Sequence, residues 1–457
     1  MHKIYFLSII TFILSILISI VIGSSAIGVS LILFLLFATF FCFFLGNKKY
    51  DDVNNLLTVL NVSFFFYIFY AVLANASYLE YNSFFLFPDQ TALYQNSEEL
   101  GRKESINEIY KLCFIDRIHY EMEGFYFIMG LISYLANTFF DGNSVLLQSL
   151  HISFLAIIAN LLMYKFLQKN GIQEKLQKFT LIYSLLSPIF YYSPWILRDI
   201  HIAFLFILSL LLISSKFTIR RLFFLIVLIY ITFEFRVENG LFMLLFVFYY
   251  IIFKAKHHSH YKLIISLIIF LTIIFLPFTI KILSPKFVST IVSLDNYKSY
   301  TLDGIESQGL GRYIYQLPFG IKQIAIVFYS QLTQFPPWAT LEIAANPNQI
   351  LIGIGAFIKS IFWSLLFLTS ILSIFFRNAR KTLSKELIIL LLFFVIYLFL
   401  NSSNINDRRL YAMYPILFLY ITNLSLKLNK KYFNAFLKDA VIIYFIILLL
   451  YTFVKYV

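Results

Sequence analysis

The sequence predicts an all-α fold, a polytopic bundle of transmembrane helices, on three observations. Of its 457 residues, 60% are hydrophobic and only 13% charged, with a mean hydropathy of +0.83. A soluble domain is about half apolar and about a quarter charged. The apolar residues come in long runs, such as 6–23, 263–280 and 388–400. Runs of about 20 such residues let a helix cross ~30 Å of hydrocarbon. Finally, the runs are continuous rather than alternating, so the chain is not a β-barrel, the other architecture that satisfies its own backbone in lipid.

In chain order, spans are expected near 4–23, 25–46, 55–78, 144–166, 179–196, 199–215, 221–235, 239–253, 263–283, 351–376, 387–400, 410–426 and 439–456. The first reads as a retained span, because its apolar core is long for a cleaved signal. One further apolar stretch, Phe125–Phe140, is decided by the positive-inside rule. If it lies along the outer interface, the clusters Lys48–Lys49, Lys165–Lys178, Lys216–Arg221, Lys254–Lys262, Arg377–Lys385 and Lys427–Lys438 all fall on one side. That side then holds most of the 36 Lys and Arg and few of the 23 Asp and Glu. The expectation is therefore about 13 spans, an interfacial helix, a cytoplasmic amino terminus and two long outer loops. Residues 1–283 form a core carrying the first outer loop, 79–143; the second outer loop is 284–350, and 351–457 adds the last spans.

The net charge of +13 punctuates the apolar runs and forms no single basic face, which argues against nucleic acid. Cys42 falls in a span and Cys113 in a loop, a placement unsuited to a disulfide. The cytoplasmic loops are too short for a nucleotide-binding domain and contain no Gly-rich phosphate loop, so an ATP-driven pump is not expected. Long outer loops in a compact protein usually have a task, and the chemistry is placed there.

Asp89 follows Pro88 and opens a helical pattern that closes at Gly101. It suits an N-cap, and a carboxylate just above the membrane also suits a general base. Asp116, Arg117, His119, Glu121 and Glu123 alternate in charge as a solvated face does; a divalent cation is the one cofactor left open there. Arg198 and Asp199 join two spans almost without a loop. As a helix cap and a snorkelling cation they are structural, yet ionisable groups at the bilayer edge are a functional hypothesis by default. Arg236, between Glu234 and Glu238, repeats the pattern at the next outer helix end. Arg408, Arg409, Lys298 and Arg312 are basic groups kept on the disfavoured side, which points to an anionic ligand, phosphate first. His257, His258 and His260 sit among lysines in a cytoplasmic turn and read as solvated polarity.

An outer loop with Asp89 a few residues before Tyr94 resembles the GT-C glycosyltransferase superfamily, in the style of protein O-mannosyltransferases and the lipid A aminoarabinose transferase. The resemblance continues through the interfacial stretch Phe125–Phe140 and through Asp-Gly-Asn-Ser at 141–144, where the family often has Phe-Gly-x-Ser. It runs on through the basic turn Lys165–Lys178 and the Ser-Pro-x-x-x-x-Ser-Pro of 187–194 ahead of Arg198-Asp199. It covers roughly 79–215. It implies an enzyme of a bacterial plasma membrane that moves a sugar from a polyprenyl-phosphate donor to a glycan or lipid acceptor on the outer face. Asp89 would deprotonate the acceptor hydroxyl and Asp199 would take the place of a second outer acid. Tyr94, Arg198, Arg236, Arg312, Arg408 and Arg409 would bind substrate. The chain has Asp89-Gln90 where the family often has Asp-Glu, which puts a metal role in doubt. Two other readings stand beside it: an O-antigen or capsule repeat-unit polymerase, and a transporter or flippase of lipid-linked glycans. Against transport, the ionisable groups gather at one face and not at the midplane.

Overall fold

Apolar runs become uninterrupted helices because, in hydrocarbon, only i to i−4 bonding satisfies every peptide group within the segment. The computed structural model describes residues 2–46, 49–81, 89–117, 122–257, 314, 316–318, 320–332, 336–401 and 407–456. Among the described residues all regular structure is helical. Six helices there are long and apolar enough to cross a membrane, at 25–45, 50–80, 145–169, 237–254, 347–375 and 430–453, with shorter apolar stretches at 7–22 and 199–213. The chain is thus a helical bundle of membrane-spanning character. The span expected at 263–283 lies outside the described residues, as does most of the second outer loop.

The first three spans fold as α1 (His2–Ile22), α2 (Ser25–Leu45) and α3 (Tyr50–Tyr81). The start of α2 is held by Asp141, whose carboxylate accepts from the Ser25 and Ala26 amides (3.2 and 2.9 Å) and the Ser25 hydroxyl (2.9 Å). Helix α3 runs antiparallel to α7 (Val145–Lys169): Asp52 at its beginning accepts from Tyr164 and Gln168 at the end of α7, at 3.0 and 2.9 Å.

Between them, α4 (Asp89–Gly101), α5 (Ile106–Tyr110) and α6 (Glu123–Phe139) form a helical cap. Helix α6, the stretch expected at the interface, buries Tyr126, Met129, Gly130, Ser133 and Ala136, a spacing of three and four that makes one apolar stripe. It packs along α4 at close range. A Cβ on Gly130 would lie 2.9 Å from Leu100 Cβ, and one on Gly101 would meet Ser133 even closer.

The span expected at 179–196 is not one helix. Helix α8 (Leu176–Leu186) stops at Ser187, and Pro188 opens the short α9 (Pro188–Tyr192). Proline has no N–H to offer the carbonyl four residues back and disfavours helical geometry in the residue before it; Ser187 is accordingly extended, at φ −83° and ψ 161°. The deprived carbonyl is that of Ser184, and Tyr67 of α3 donates its hydroxyl to it at 2.8 Å. Asn160 of α7 in turn donates to Tyr67 (2.8 Å) and to the Ser184 hydroxyl (3.0 Å), which lies 2.7 Å from Ser63. All four side chains are buried.

The chain then re-enters as α10 (Asp199–Ile213), α11 (Ile219–Phe235) and α12 (Val237–Tyr249). Further along the chain come α13 (Ile321–Gln331) and α14 (Ala339–Glu342), two short helices inside the expected second loop. The remainder is α15 (Pro347–Phe375), α16 (Arg377–Arg380), α17 (Lys385–Leu400), α18 (Tyr414–Lys427) and α19 (Lys430–Tyr456). Lys254 pairs with Glu386 at 2.6 Å, while Tyr397 lies 3.0 Å from Asn239, so α12 and α17 are antiparallel. One end of the bundle therefore gathers the beginnings of α4, α10, α12 and α18.

Candidate functional site

At that end an unbroken chain of ion pairs links four segments distant in sequence. Asp89, the first residue of α4, meets Arg408 (Oδ2 to Nη1, 3.1 Å), in a contact that is also a hydrogen bond. The Nε of Arg408 lies 3.2 Å from Asp199 Oδ2. The other oxygen of Asp199 lies 3.1 Å from Arg236 Nη1, and Arg236 Nε reaches Glu238 at 3.4 Å. Helix ends explain the arrangement: Asp89, Asp199 and Glu238 stand in the first turns of α4, α10 and α12, where the helix dipole favours negative charge.

Burial separates the two aspartates. The Asp89 side chain is 50% exposed and that of Asp199 only 3%, with Arg236 equally buried. Asp89 can therefore touch a substrate, whereas Asp199 lies beneath two guanidiniums and positions them. Arg198 donates from Nη1 to the carbonyl of Phe235 at the end of α11, 3.0 Å away. Burial and the neighbouring Arg236 push Arg198 down to about 9, against the pull of Glu238 and Asp199, and it remains charged near neutrality. Burial would also lower Arg408, but Asp199 and Asp89 outweigh it and raise its pKa. Arg409 belongs to the same electrostatic group, and its carbonyl lies 2.9 Å from the Tyr397 hydroxyl. Arg198, Arg236, Arg408 and Arg409 thus face Asp89, Asp199 and Glu238, four cations to three carboxylates.

Six residues singled out in the sequence meet here: Asp89, Arg198, Asp199, Arg236, Arg408 and Arg409. Tyr94 does not join them. Five residues beyond Asp89 it points about 140° away around the helix. It is half-buried near Glu98, Tyr78 and Arg102, and burial first, then Glu98, pushes its hydroxyl up to about 12. Arg312, Lys298 and His119 lie outside the described residues. Among the described residues no group of three His, Cys, Asp or Glu side chains is placed to hold a metal, and Arg408 stands between the two aspartates where a divalent ion would have to sit.

No family model, curated protein or solved structure matches this chain.

Several residues of the site escaped sequence reading. Gln90, which looked like a departure from an acidic pair, is fully buried, and its Oε1 accepts from the Ile196 amide at 2.8 Å. It latches α4 onto the turn that delivers Arg198 and Asp199. Tyr126 of α6 accepts from Asn96 at 3.1 Å and is close enough for Asp89 and Arg198 to influence its hydroxyl. Lys359, hidden in the apolar α15, is 2% exposed, with its ammonium 5.0 and 5.3 Å from the Tyr191 and Tyr192 rings. Tyr192 stacks on Tyr411, three residues after Arg408, at 5.2 Å. A buried cation in a span is the kind of signal that marks function, and it was legible only as one lysine in a long run. His201, two residues after Asp199 in α10, is buried against Phe125 and Phe235, and its ring nitrogens have no hydrogen-bond partner among the described residues.

Proposed function

We propose that the protein is an integral membrane glycosyltransferase that moves a sugar from a polyprenyl-phosphate-linked donor to a glycan or lipid acceptor of the cell envelope. The observation that carries this reading is the Asp89–Arg408–Asp199–Arg236 chain: an accessible carboxylate hydrogen-bonded to a cation, over a buried acid that fixes two guanidiniums. The finer topology belongs to the same proposal. It has about 13 spans, the amino terminus is cytoplasmic, the site faces outward, and the membrane is a bacterial plasma membrane.

The chemistry follows from the charges. The acceptor hydroxyl gives its proton to Asp89 as its oxygen bonds to the anomeric carbon of the donor. The bond from that carbon to the phosphate oxygen breaks, and polyprenyl phosphate leaves with the electron pair. Arg408 and Arg409 neutralise the phosphate, and fixed cations are worth most where charge develops in the transition state. As Arg408 turns to the phosphate it releases Asp89 to act as base. The donor tail stays in lipid and its phosphate at headgroup level, where these helix ends lie.

The test is glycan analysis of a deletion strain complemented with Asp89→Asn. The variant is expected in the membrane at wild-type level with transfer reduced by about 10²–10⁴-fold, the usual contribution of a positioned base. Wild-type glycan from that strain would overturn the catalytic role. The deletion itself separates the alternative: a missing sugar means a transferase, whereas lost chain length with single repeats retained means a repeat-unit polymerase.

A further inference from the structure

We propose that the end of the bundle opposite the Asp89 site holds an anionic lipid, its phosphate headgroup seated between the start of α3, the end of α7 and the start of α8. Two adjoining hollows carry the inference. The first is a polar groove of about 780 Å³ bordered by Lys49, Lys175, Lys178, Asp51, Asn55 and Gln168. Its volume falls in the ~300–1,000 Å³ range of small-molecule sites. The second is an almost wholly apolar slot of about 410 Å³ along one side of α8, formed by Leu181, Ile182, Leu185 and Leu186. The two share Gln177 and Lys178. A polar basin bordered by the same two residues as an apolar slot matches an amphiphile rather than a soluble anion, because a free phosphate would leave the slot without a purpose.

The sign of the headgroup follows from the charges. Asp52 at the groove wall is already engaged by Lys165 at 3.5 Å and by Tyr164 and Gln168. Glu174 pairs with Lys175 at 3.3 Å. Set against Asp51 and Glu174, the three lysines leave one positive charge in excess. The first turn of α8 adds to it: no side chain caps it and no acid stands in it, so its amides present the positive end of the helix. A choline or ethanolamine headgroup would bring its own cation to this surface, whereas a glycerol phosphate would not.

The experiment uses the full chain in micelles containing equal amounts of phosphatidylglycerol and phosphatidylcholine, with bound lipid counted by native mass spectrometry. Wild type is expected to keep phosphatidylglycerol about fivefold over phosphatidylcholine, the worth of one excess lysine charge near a headgroup. Lys49→Gln/Lys175→Gln/Lys178→Gln turns that single positive excess into an excess of negative charge from Asp51 and Glu174 and should bring the ratio to parity or below. Ile182→Trp, which fills the slot and leaves the charge alone, should lower total retention of both lipids. Parity in wild type, or an unchanged ratio in the triple variant with an unchanged elution profile, overturns the proposal. If the triple variant fails to fold, Ile182→Trp decides, and undiminished retention there overturns it. A large excess of inorganic phosphate should leave the lipid in place; complete displacement would show the groove to be a soluble-anion site and overturn the lipid assignment.

Discussion

Replacing Asp199 with alanine removes the central link of the ion-pair chain. Arg236 is only 3% exposed and keeps Glu238 alone, a partner that is 41% exposed and 3.4 Å away. Arg408 keeps Asp89, and four guanidiniums are left facing two carboxylates. Removing one partner of a buried pair costs about 3–5 kcal/mol, because the remaining charge is stranded away from water. Glu238→Ala breaks a contact that water already screens and should cost about 0.2–1 kcal/mol. The structure therefore predicts a several-fold asymmetry between two carboxylates on the same arginine. Reversible unfolding in mixed micelles measures both, and a double-mutant cycle with Arg236→Ala isolates the Asp199–Arg236 coupling, expected within about 0.5–3 kcal/mol. If Asp199→Ala cost no more than Glu238→Ala, or if the cycle were additive, Asp199 would not be the anchor described here.

Two further outcomes follow from single hydrogen-bonding contacts. Gln90→Leu removes the acceptor of the buried Ile196 amide and should cost about 1–3 kcal/mol, the penalty for an unsatisfied buried donor. The proposed sugar transfer should fall with it as the 193–199 turn loosens, and a variant as stable and active as wild type would refute the latch. Asp141 is held down to about 2, first by the Ala26 amide. A carboxyl lowered in the folded state stabilises fully above its unfolded pKa of about 4 and loses that contribution as pH falls toward 2. Asp141→Ala should therefore unfold more readily than wild type at neutral pH, by on the order of 0.5–1 kcal/mol as for other exposed caps. The difference should close at low pH, and a gap independent of pH would exclude this origin.

The helices were legible because apolar runs and helix ends are local properties. The expected spans at 25–46, 144–166 and 199–215 reappear as α2, α7 and α10 with their ends shifted by a few residues. The failure at 179–196 is instructive, since hydropathy averages over Pro188, whereas the backbone cannot. The Ser-Pro pair is legible as a motif, whereas the break it makes lies in the backbone chemistry of Pro188. Within the site, each charged residue could be placed at a helix end, but not with its partners. Arg408 and Asp89 are 319 residues apart, and nothing in either neighbourhood names the other. Tyr94 is tied to Asp89 only by nearness in sequence, and five residues along a helix lead to another face. Gln90 stands out in the sequence only as a departure from an acidic pair, whereas its side-chain amide serves the backbone. Lys359 stayed invisible because one charge hardly changes the hydropathy of a 29-residue helix.

The joint at Pro188 also bears on how the bundle is assembled. The Ser184 carbonyl can be taken into hydrocarbon only if a donor is already waiting, and that donor, with the residues that orient it, belongs to α3 and α7. Both are synthesised earlier than α8. The order of the chain thus has the socket built before the piece that needs it, and α8 inserted alone would face lipid with a bare carbonyl. A chain in which α8 preceded α3 would lack the order of events that lets the broken span enter the membrane.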